Sequence, residues 1–136
     1  MGTRSLTKVK DFDGKDLVCI YRQYDGYQEG QGFDLKNKLA NKNLVNGFSS
    51  KNQTDCFNGM GCLAASLVAN LKTHIGLFYL VPPDYEDDYI DFNYTIYPDC
   101  EDRESAEIMI KVESGKSVLY EGKIDDYSAK DECSED

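Results

Sequence analysis

The sequence predicts an α+β fold in which two helices lie on one face of a mostly antiparallel sheet, in the order ββααββββ. Segments with strand-like hydrophobic alternation occur at both ends of the chain, and the strongest helical pattern lies between them. Runs of strands that flank a helical pair are typical of α+β domains. With 136 residues, the chain is expected to form one domain.

The first two strands are predicted over residues 3–10 and 17–23. Between them stands the segment DFDGK, and its Asp13-Gly14 pair is a strong signal for a hairpin turn. The second strand, LVCIYRQ, is apolar up to Arg22, which favours a central position in the sheet. Residues 24–32 contain three glycines and are predicted to form a loop.

The first helix is predicted over residues 33–42. Its apolar side chains are Phe33, Leu35 and Leu39. This set predicts a short amphipathic helix with one side against the sheet.

The second helix is predicted over residues 59–73, where leucine recurs every fourth residue at Leu63, Leu67 and Leu71. Asn58 fits the N-cap, and Gly76 fits a stop after the last turn. Small side chains form a slim side that would let another element approach closely. They are Gly61, Ala65 and Ala69.

Four further strands are predicted over residues 77–81, 89–97, 106–112 and 117–124, the last two joined at Ser114-Gly115. From Asp125 onward the chain is dominated by acidic residues and is expected to fray. The predicted organisation is therefore a single domain over residues 1–124 and an acidic tail over residues 125–136.

The composition argues against several classes of function and location. The formal net charge of −10 argues against direct nucleic-acid binding, because phosphate repels such a surface, and it suits a partner with a basic surface. No apolar run approaches the roughly 20 residues of a membrane span. The polar start shows no secretory signal, and the five cysteines form no CxxC pair. These features predict a cytoplasmic protein with no metal or cofactor.

Two of the three arginines, Arg4 and Arg22, are predicted to meet at the open end of the first hairpin. Two like charges so close need a negative group between them. One alternative is an internal salt bridge, to Asp25 or to an acid of the DYEDDY run. The other is a bound phosphate or carboxylate, which guanidinium groups hold in a bidentate manner.

Two further segments suit a ligand. NGMGCLA matches G-x-G-x-x-A, but no apolar strand precedes it, so a dinucleotide fold is excluded. A helix start with two glycines still suits an anion, and close packing with capping by Asn58 is the alternative. The tyrosines in and just before the loop YDGYQEGQG, namely Tyr21, Tyr24 and Tyr27, suit stacking on a planar ligand or a protein interface. The alternative is an ordinary connection, with Tyr21 in the core.

Catalytic signals are weak. His74 is the only histidine and is expected to cap the long helix. Cys62, near a helix start, is a possible nucleophile only on account of that position. The carboxylates of DYEDDY could bind a hard cation or serve a hydrolase, but they lack the EF-hand pattern and are better explained as a solvated acidic loop.

The motifs MGTRS, YRQYDGY and NGMGCLAA resemble a family of small uncharacterised proteins found mostly in bacteriophages, prophages and bacteria. The resemblance covers residues 1–81 and implies a compact α+β domain, with no established activity. Many small phage proteins oppose host defences. The matching residues are Gly2, Thr3, Arg4, Ser5, Tyr21, Arg22, Gln23, Asp25, Gly26, Tyr27, Asn58, Gly59, Gly61 and Cys62.

We therefore predict a non-enzymatic binding protein, a phage counter-defence factor that occupies a host protein with a basic surface. The alternative is sequestration of a small anionic ligand such as a signalling nucleotide, and a carboxylate-dependent hydrolase ranks third. The predicted ligand-binding residues are Arg4, Ser5, Arg22, Gln23, Asp25, Tyr27, Asn58, Gly59 and Gly61.

Overall fold

The computed structural model describes residues 2–46, 56–103 and 105–130, and it has the predicted α+β fold. The helices are α1 (Phe33–Leu39) and α2 (Gly59–Leu71). The strands are β1 (Arg4–Lys10), β2 (Asp16–Arg22), β3 (Asn43–Val45), β4 (Cys56–Asn58), β5 (Phe78–Leu80), β6 (Ile90–Pro98), β7 (Ile108–Ser114) and β8 (Ser117–Lys123). Six of these strands form one mostly antiparallel sheet in the order β5-β2-β1-β6-β7-β8.

The hairpin of β1 and β2 is confirmed. The N–H of Asp11 donates to the carbonyl oxygen of Lys15 at 2.8 Å, and the turn between them contains Gly14 at a φ of +85°. A positive φ favours glycine at this position because glycine has no Cβ. β2 lies between β1 and the short edge strand β5, so it is flanked on both sides, as its apolar sequence predicts.

The C-terminal strands β6, β7 and β8 form an antiparallel meander, with Gly115 in the second turn. The meander joins the hairpin through a parallel pairing of β6 with β1, which runs from Arg4 opposite Ile90 to Val9 opposite Ile96. This parallel seam places β1 in the middle of the sheet. The side chain of Val9 is accordingly fully buried.

Both helices contribute to one core on the same face of the sheet, which we call the helix face. The predicted stripe of α2, Leu63, Leu67 and Leu71, is buried there. The sheet side chains of this core include Val9, Ile20, Tyr94, Ile96, Ile110 and Val112. Alternation along the strands places the next residues on the opposite side, the back face, which includes Leu6, Cys19 and Tyr21.

The ends of the helices differ from the prediction. In α1 only Leu35 and Leu39, four positions apart on one side of the helix, are buried, whereas Phe33, two positions before Leu35, lies on the opposite side and is exposed. α2 ends at Leu71, so His74 is exposed outside the helix and does not cap it. Gly76, at a φ of +84°, shapes the turn into β5 and does not end the helix.

Several short elements were not predicted. Residues 28–32 form a π-helical turn, Gln28–Gly32, at the end of the predicted loop. β3 and β4 pair in parallel as a separate two-stranded ribbon between the helices. A 3₁₀ turn, Ile124–Asp126, follows β8. Strands of three residues and single turns carry too few residues for a periodic pattern to reveal them.

The predicted boundary of the acidic tail at residue 125 is wrong. Tyr127 is 1% exposed, and its hydroxyl donates to Gln28 Oε1 at 2.8 Å. Lys36 Nζ donates to the carbonyl oxygen of Asp125 at 2.8 Å, and Ala129 is buried. The packed domain therefore extends to residue 129, and the rest of the predicted tail, residues 131–136, lies outside the described residues.

Among the parts of the chain that the structure describes, neither helix is long and apolar enough to cross a membrane.

Candidate functional site

Arg22 is buried on the helix face, where it is 6% exposed. Its Nη1 donates to Asp34 Oδ2 at 2.7 Å and to Gln31 Oε1 at 2.8 Å. Its Nε donates to the carbonyl oxygen of Tyr24 at 2.8 Å, and its guanidinium lies 5.0 Å from the ring centroid of Phe78. The negative partner of Arg22 is therefore internal, and it is Asp34 of α1 rather than Asp25 or an acid of DYEDDY.

The same polar network fixes the tyrosine- and glycine-rich loop against the sheet. Gln31 Nε2 donates to Thr7 Oγ1 at 2.9 Å, and the hydroxyl of Tyr94 donates to the carbonyl oxygen of Gly26 at 2.7 Å. A Cβ added at Gly26 would lie 2.8 Å from Ser5 Cβ, and one at Gly32 would lie 2.3 Å from the hydroxyl of Tyr127. These glycines are therefore explained by close packing.

Arg4 lies on the back face, and the prediction that it converges with Arg22 is wrong. The register pairs Arg22 with Ser5, so the side chain one residue earlier in β1 points to the opposite side of the sheet. The Arg4 guanidinium lies 5.7 Å from the ring centroid of Tyr89 and forms no ion pair within the described ranges. The two arginines therefore cannot share one negative group.

The other predicted residues near the hairpin have structural contacts or lie at the surface. Ser5 is fully buried opposite Arg22, and its Oγ has no hydrogen-bond partner among the described protein atoms. Gln23 is exposed, and its N–H donates to the carbonyl oxygen of Leu77 at 2.9 Å. Asp25 has a φ of +59° and accepts a hydrogen bond of 3.1 Å from the hydroxyl of Tyr27.

The predicted helix start is separate from both arginines, because Gly61 lies near Leu17 and Val18 at the beginning of β2, whereas Arg22 and Arg4 lie at the other end of that strand. Asn58 ends β4, and Gly59, with a φ of +85°, begins α2. A Cβ added at Gly59 or at Gly61 would meet no atom of the described residues within 4 Å, so none of those residues packs closely against these glycines. The predicted slim side of α2 is likewise exposed at Gly61, Ala65 and Ala69. The structure thus leaves this helix start apart from the rest of the predicted ligand-binding set.

A different cluster forms on the back face, where three tyrosine rings meet near the end of β2 and a fourth lies against Arg4. The ring centroid of Tyr21 lies 6.0 Å from that of Tyr79 and 6.1 Å from that of Tyr85. Tyr89 is 68% exposed beneath the guanidinium of Arg4. Along the chain, Asp84, Glu86 and Asp88 stand directly beside Tyr85 or Tyr89. We call this surface the tyrosine–acid patch and define it by Tyr21, Tyr79, Tyr85, Tyr89, Asp84, Glu86 and Asp88.

Local turns of the DYEDDY segment position the patch. Asp87 Oδ2 accepts a hydrogen bond from the Tyr85 hydroxyl at 3.1 Å, and Asp87 Oδ1 accepts one from the N–H of Tyr89 at 2.9 Å. The first of these bonds is the main cause of the raised pKa of Tyr85, so that phenol stays neutral. Asp91 Oδ2 accepts from the N–H of Arg4 at 3.1 Å. Asp87 and Asp91 therefore have internal roles.

The remaining acids of the segment are available to a partner. Asp84, Glu86 and Asp88 are exposed, and none of them forms an ion pair or hydrogen bond with any residue in the described ranges. The same ranges hold no group of three or more histidine, cysteine or acidic side chains arranged to bind a metal ion. The patch thus combines aromatic rings with carboxylates that have no counter-charge within the described part of the chain.

A cavity lies next to this patch, between α2 and the sheet edge. It has a volume of about 260 Å³ and is lined mostly by apolar side chains of β2, α2 and β5. The lining residues include Ile20, Val68, Leu71, Phe78, Tyr79 and Leu80. Tyr79 therefore belongs to both the cavity wall and the patch.

The cysteines and the histidine form no catalytic arrangement with each other in the described residues. Cys62 is exposed on the first turn of α2, and His74 Nδ1 lies 3.1 Å from Thr73 Oγ1 at the surface. Cys19 is buried, and this burial raises the pKa of its thiol. It therefore behaves as a small apolar side chain, as its apolar surroundings in the sequence predict.

The sequence did contain a signal for the patch that the site prediction missed. Tyr21 precedes Arg22 in a strand, so the two must point to opposite faces, and DYEDDY alternates tyrosines with acids. Nothing local, however, shows that the 84–89 segment folds back over the end of β2. That contact depends on the turns after β5, in which the N–H of Tyr85 donates to the carbonyl oxygen of Pro82 at 3.0 Å.

Comparisons with known proteins leave the family open. No protein-family model, no curated protein and no solved structure matches this chain.

Proposed function

We propose that this protein is a non-enzymatic binding protein whose tyrosine–acid patch docks onto a basic surface of another protein. The observation that carries the proposal is a tyrosine cluster with two exposed members, Tyr79 and Tyr89, whose neighbours along the chain include three exposed carboxylates with no ion-pair partner in the described ranges. Such carboxylates keep their charge available for lysine or arginine side chains of a partner.

The aromatic part of the patch supplies contact area. Tyrosine buries a large, rigid surface with few rotatable bonds and is enriched among the residues that dominate interface energies. The ring of Tyr89 already accepts one guanidinium, that of Arg4, at a distance typical of a cation–π contact. Because Tyr89 remains 68% exposed, much of its surface stays open to a basic side chain of a partner.

The charge of the whole chain favours the same kind of partner. A formal net charge of −10 attracts a basic surface and accelerates encounter, and this steering weakens as salt screens it. Complementary charge mainly raises the association rate and selects the partner, whereas the tyrosines supply contact energy.

The motifs that resemble phage proteins suggest a biological setting for this proposal. In that setting the partner is a host protein in the bacterial cytoplasm, and the protein acts as a counter-defence factor that occupies a basic surface. Surfaces that bind nucleic acid are basic, so an acidic protein can compete for them. Sequestration of a small anion has less support, because Arg22 is neutralised by Asp34 and lies on the other side of the sheet from Arg4.

The proposal can be tested in pull-downs from a bacterial lysate, by comparing wild type with two patch variants and a charge-matched control. The patch variant carries Asp84→Asn, Glu86→Gln and Asp88→Asn, and a second variant carries Tyr89→Ala. The control carries the same charge change at three exposed acids elsewhere, namely Glu29→Gln, Glu101→Gln and Asp126→Asn.

We expect basic proteins that wild type and the control capture to be lost from both patch variants. The association rate with a purified partner should fall steeply as salt is added. Capture that is equal for wild type, patch variants and control would overturn the proposal, and so would an association rate that is indifferent to salt.

A further inference from the structure

The cavity between α2 and β5 is apolar inside, which identifies the kind of group it accepts. Its walls are formed mainly by aliphatic side chains of Ile20, Val68, Leu71 and Leu80 and by the ring of Phe78. Uncharged walls of this kind exclude a charged group, since burying an ion without a partner is costly. An aliphatic or aromatic side chain fits this chemistry.

Among the described residues that line the cavity, the cationic one is Lys72, and it is directed to its own chain. Lys72 Nζ donates to the carbonyl oxygens of Gly76 at 2.8 Å and of Phe78 at 3.0 Å. It also lies 5.5 Å from the ring centroid of Tyr79. Two of its three N–H donors are used in this way, so Lys72 fixes the turn before β5.

The cavity and the tyrosine–acid patch are continuous through Tyr79. Its ring lines the cavity and also lies 6.0 Å from the ring of Tyr21 in the patch. Leu80, the next residue, lines the cavity and is 62% exposed although it is apolar. Because Tyr21 lies on the back face and Ile20 on the helix face, a segment that covers the patch reaches the cavity by passing around edge strand β5 at Tyr79.

We propose that the basic segment docked on the patch also inserts one apolar side chain into this cavity. The inference rests on the proposed function and adds a second element to the partner's chemistry, so that arginine or lysine meets the patch while leucine, methionine or phenylalanine fills the cavity. The cavity is the apolar anchor site, and the carboxylates lie at the charged rim of the contact, as in many protein interfaces.

The test uses synthetic, fluorescently labelled peptides with the full 136-residue chain. Each peptide carries three arginines and a single leucine at a varied spacing, and each has a counterpart with serine in place of the leucine. At one spacing, the leucine peptide should bind about tenfold more tightly than its serine counterpart, which corresponds to about 1.4 kcal/mol.

A matched pair of variants shows whether the preference for the leucine peptide depends on the cavity. Leu80→Ser changes an exposed aliphatic side chain at the cavity on edge strand β5, and Val118→Ser changes one on edge strand β8 at the other end of the sheet. Leu80→Ser should remove the preference for leucine, and Val118→Ser should leave it intact. Because both side chains are exposed, both variants should fold, which circular dichroism checks.

The outcomes separate this inference from the proposed function. Arginine peptides that bind through Tyr89 but show no preference for leucine at any spacing would overturn the cavity inference alone. A leucine preference that depends on Leu80 but not on the acids or tyrosines of the patch would overturn the proposed function and retain the cavity as an apolar site. No binding by any peptide would overturn both.

Discussion

Two salt bridges with the same length provide a direct test of how Arg22 is held. Arg22 Nη1 lies 2.7 Å from Asp34 Oδ2, and Lys10 Nζ lies 2.7 Å from Asp16 Oδ1. The cations differ in burial, since the Arg22 side chain is 8% exposed and that of Lys10 is 35% exposed. Replacing each aspartate with alanine therefore compares a buried cation with an accessible one at equal distance.

The expected magnitudes follow from burial. An exposed ion pair contributes about 0.2 to 1 kcal/mol, so Asp16→Ala should lower the free energy of unfolding by less than about 1 kcal/mol. Loss of a hydrogen bond to a buried charged group costs about 1.5 to 3 kcal/mol. Since the Asp34 side chain is itself partly exposed, we expect about 2 kcal/mol for Asp34→Ala.

Urea unfolding followed by far-ultraviolet circular dichroism gives these values in a chain without tryptophan. A double-mutant cycle with Arg22→Met removes the separate effect of Asp34 at the start of α1. The coupling energy should be about 1.5 kcal/mol. A coupling below about 0.5 kcal/mol, the usual limit of additivity, would refute the conclusion that Asp34 is the counter-charge of Arg22.

Three further predictions follow from buried groups. Ending the chain after Ile124 should lower the free energy of unfolding in urea by about 3 kcal/mol or more, because it removes the buried Tyr127; a loss below about 1 kcal/mol would contradict this. Ser5→Ala should leave the free energy of unfolding unchanged or raise it, since the Ser5 hydroxyl has no partner in the described ranges. Thr7→Val should lower that free energy by about 1 to 3 kcal/mol, because Thr7 accepts a hydrogen bond from Gln31. Equal effects of the two substitutions would argue against the polar network around Gln31. Desolvation, followed by a hydrogen bond to a carboxylate, raises the pKa of Tyr97 to about 12. The free energy of unfolding should therefore fall between pH 10 and pH 12, and Tyr97→Phe should flatten this fall. An unchanged slope in the variant would contradict this assignment.

The fold was predictable because its long elements have strong local patterns. The alternation in β6 and β7 and the leucine repeat of α2 each extend over seven residues or more. The pairing of β6 with β1 was not predictable in the same way, because strand partners distant in sequence leave no local signal. Tyr127 was missed because a single aromatic residue in an acidic run gives no periodicity, although it completes the core beneath the Gln28–Gly32 turn.

The prediction that Arg4 and Arg22 lie on one face of the sheet was wrong by one residue in the register of β1 against β2. Placing Arg4 opposite or diagonal to Arg22 put both on one face, whereas the structure places Ser5 opposite Arg22. In a strand a shift of one residue moves a side chain to the other face of the sheet. The sequence therefore indicated that Arg22 needs a specific acceptor, but the identity of Asp34 depended on how α1 packs.

The parallel seam between β1 and β6 has a consequence for folding kinetics. The hairpin of β1 and β2 and the meander of β6 to β8 each form from neighbouring segments, but the seam joins Arg4 to Ile90 and so closes most of the intervening chain into one large loop. Pairings of such high sequence separation slow folding, because loop-closure entropy is lost before the contacts compensate for it. Substitutions along the seam should therefore slow refolding.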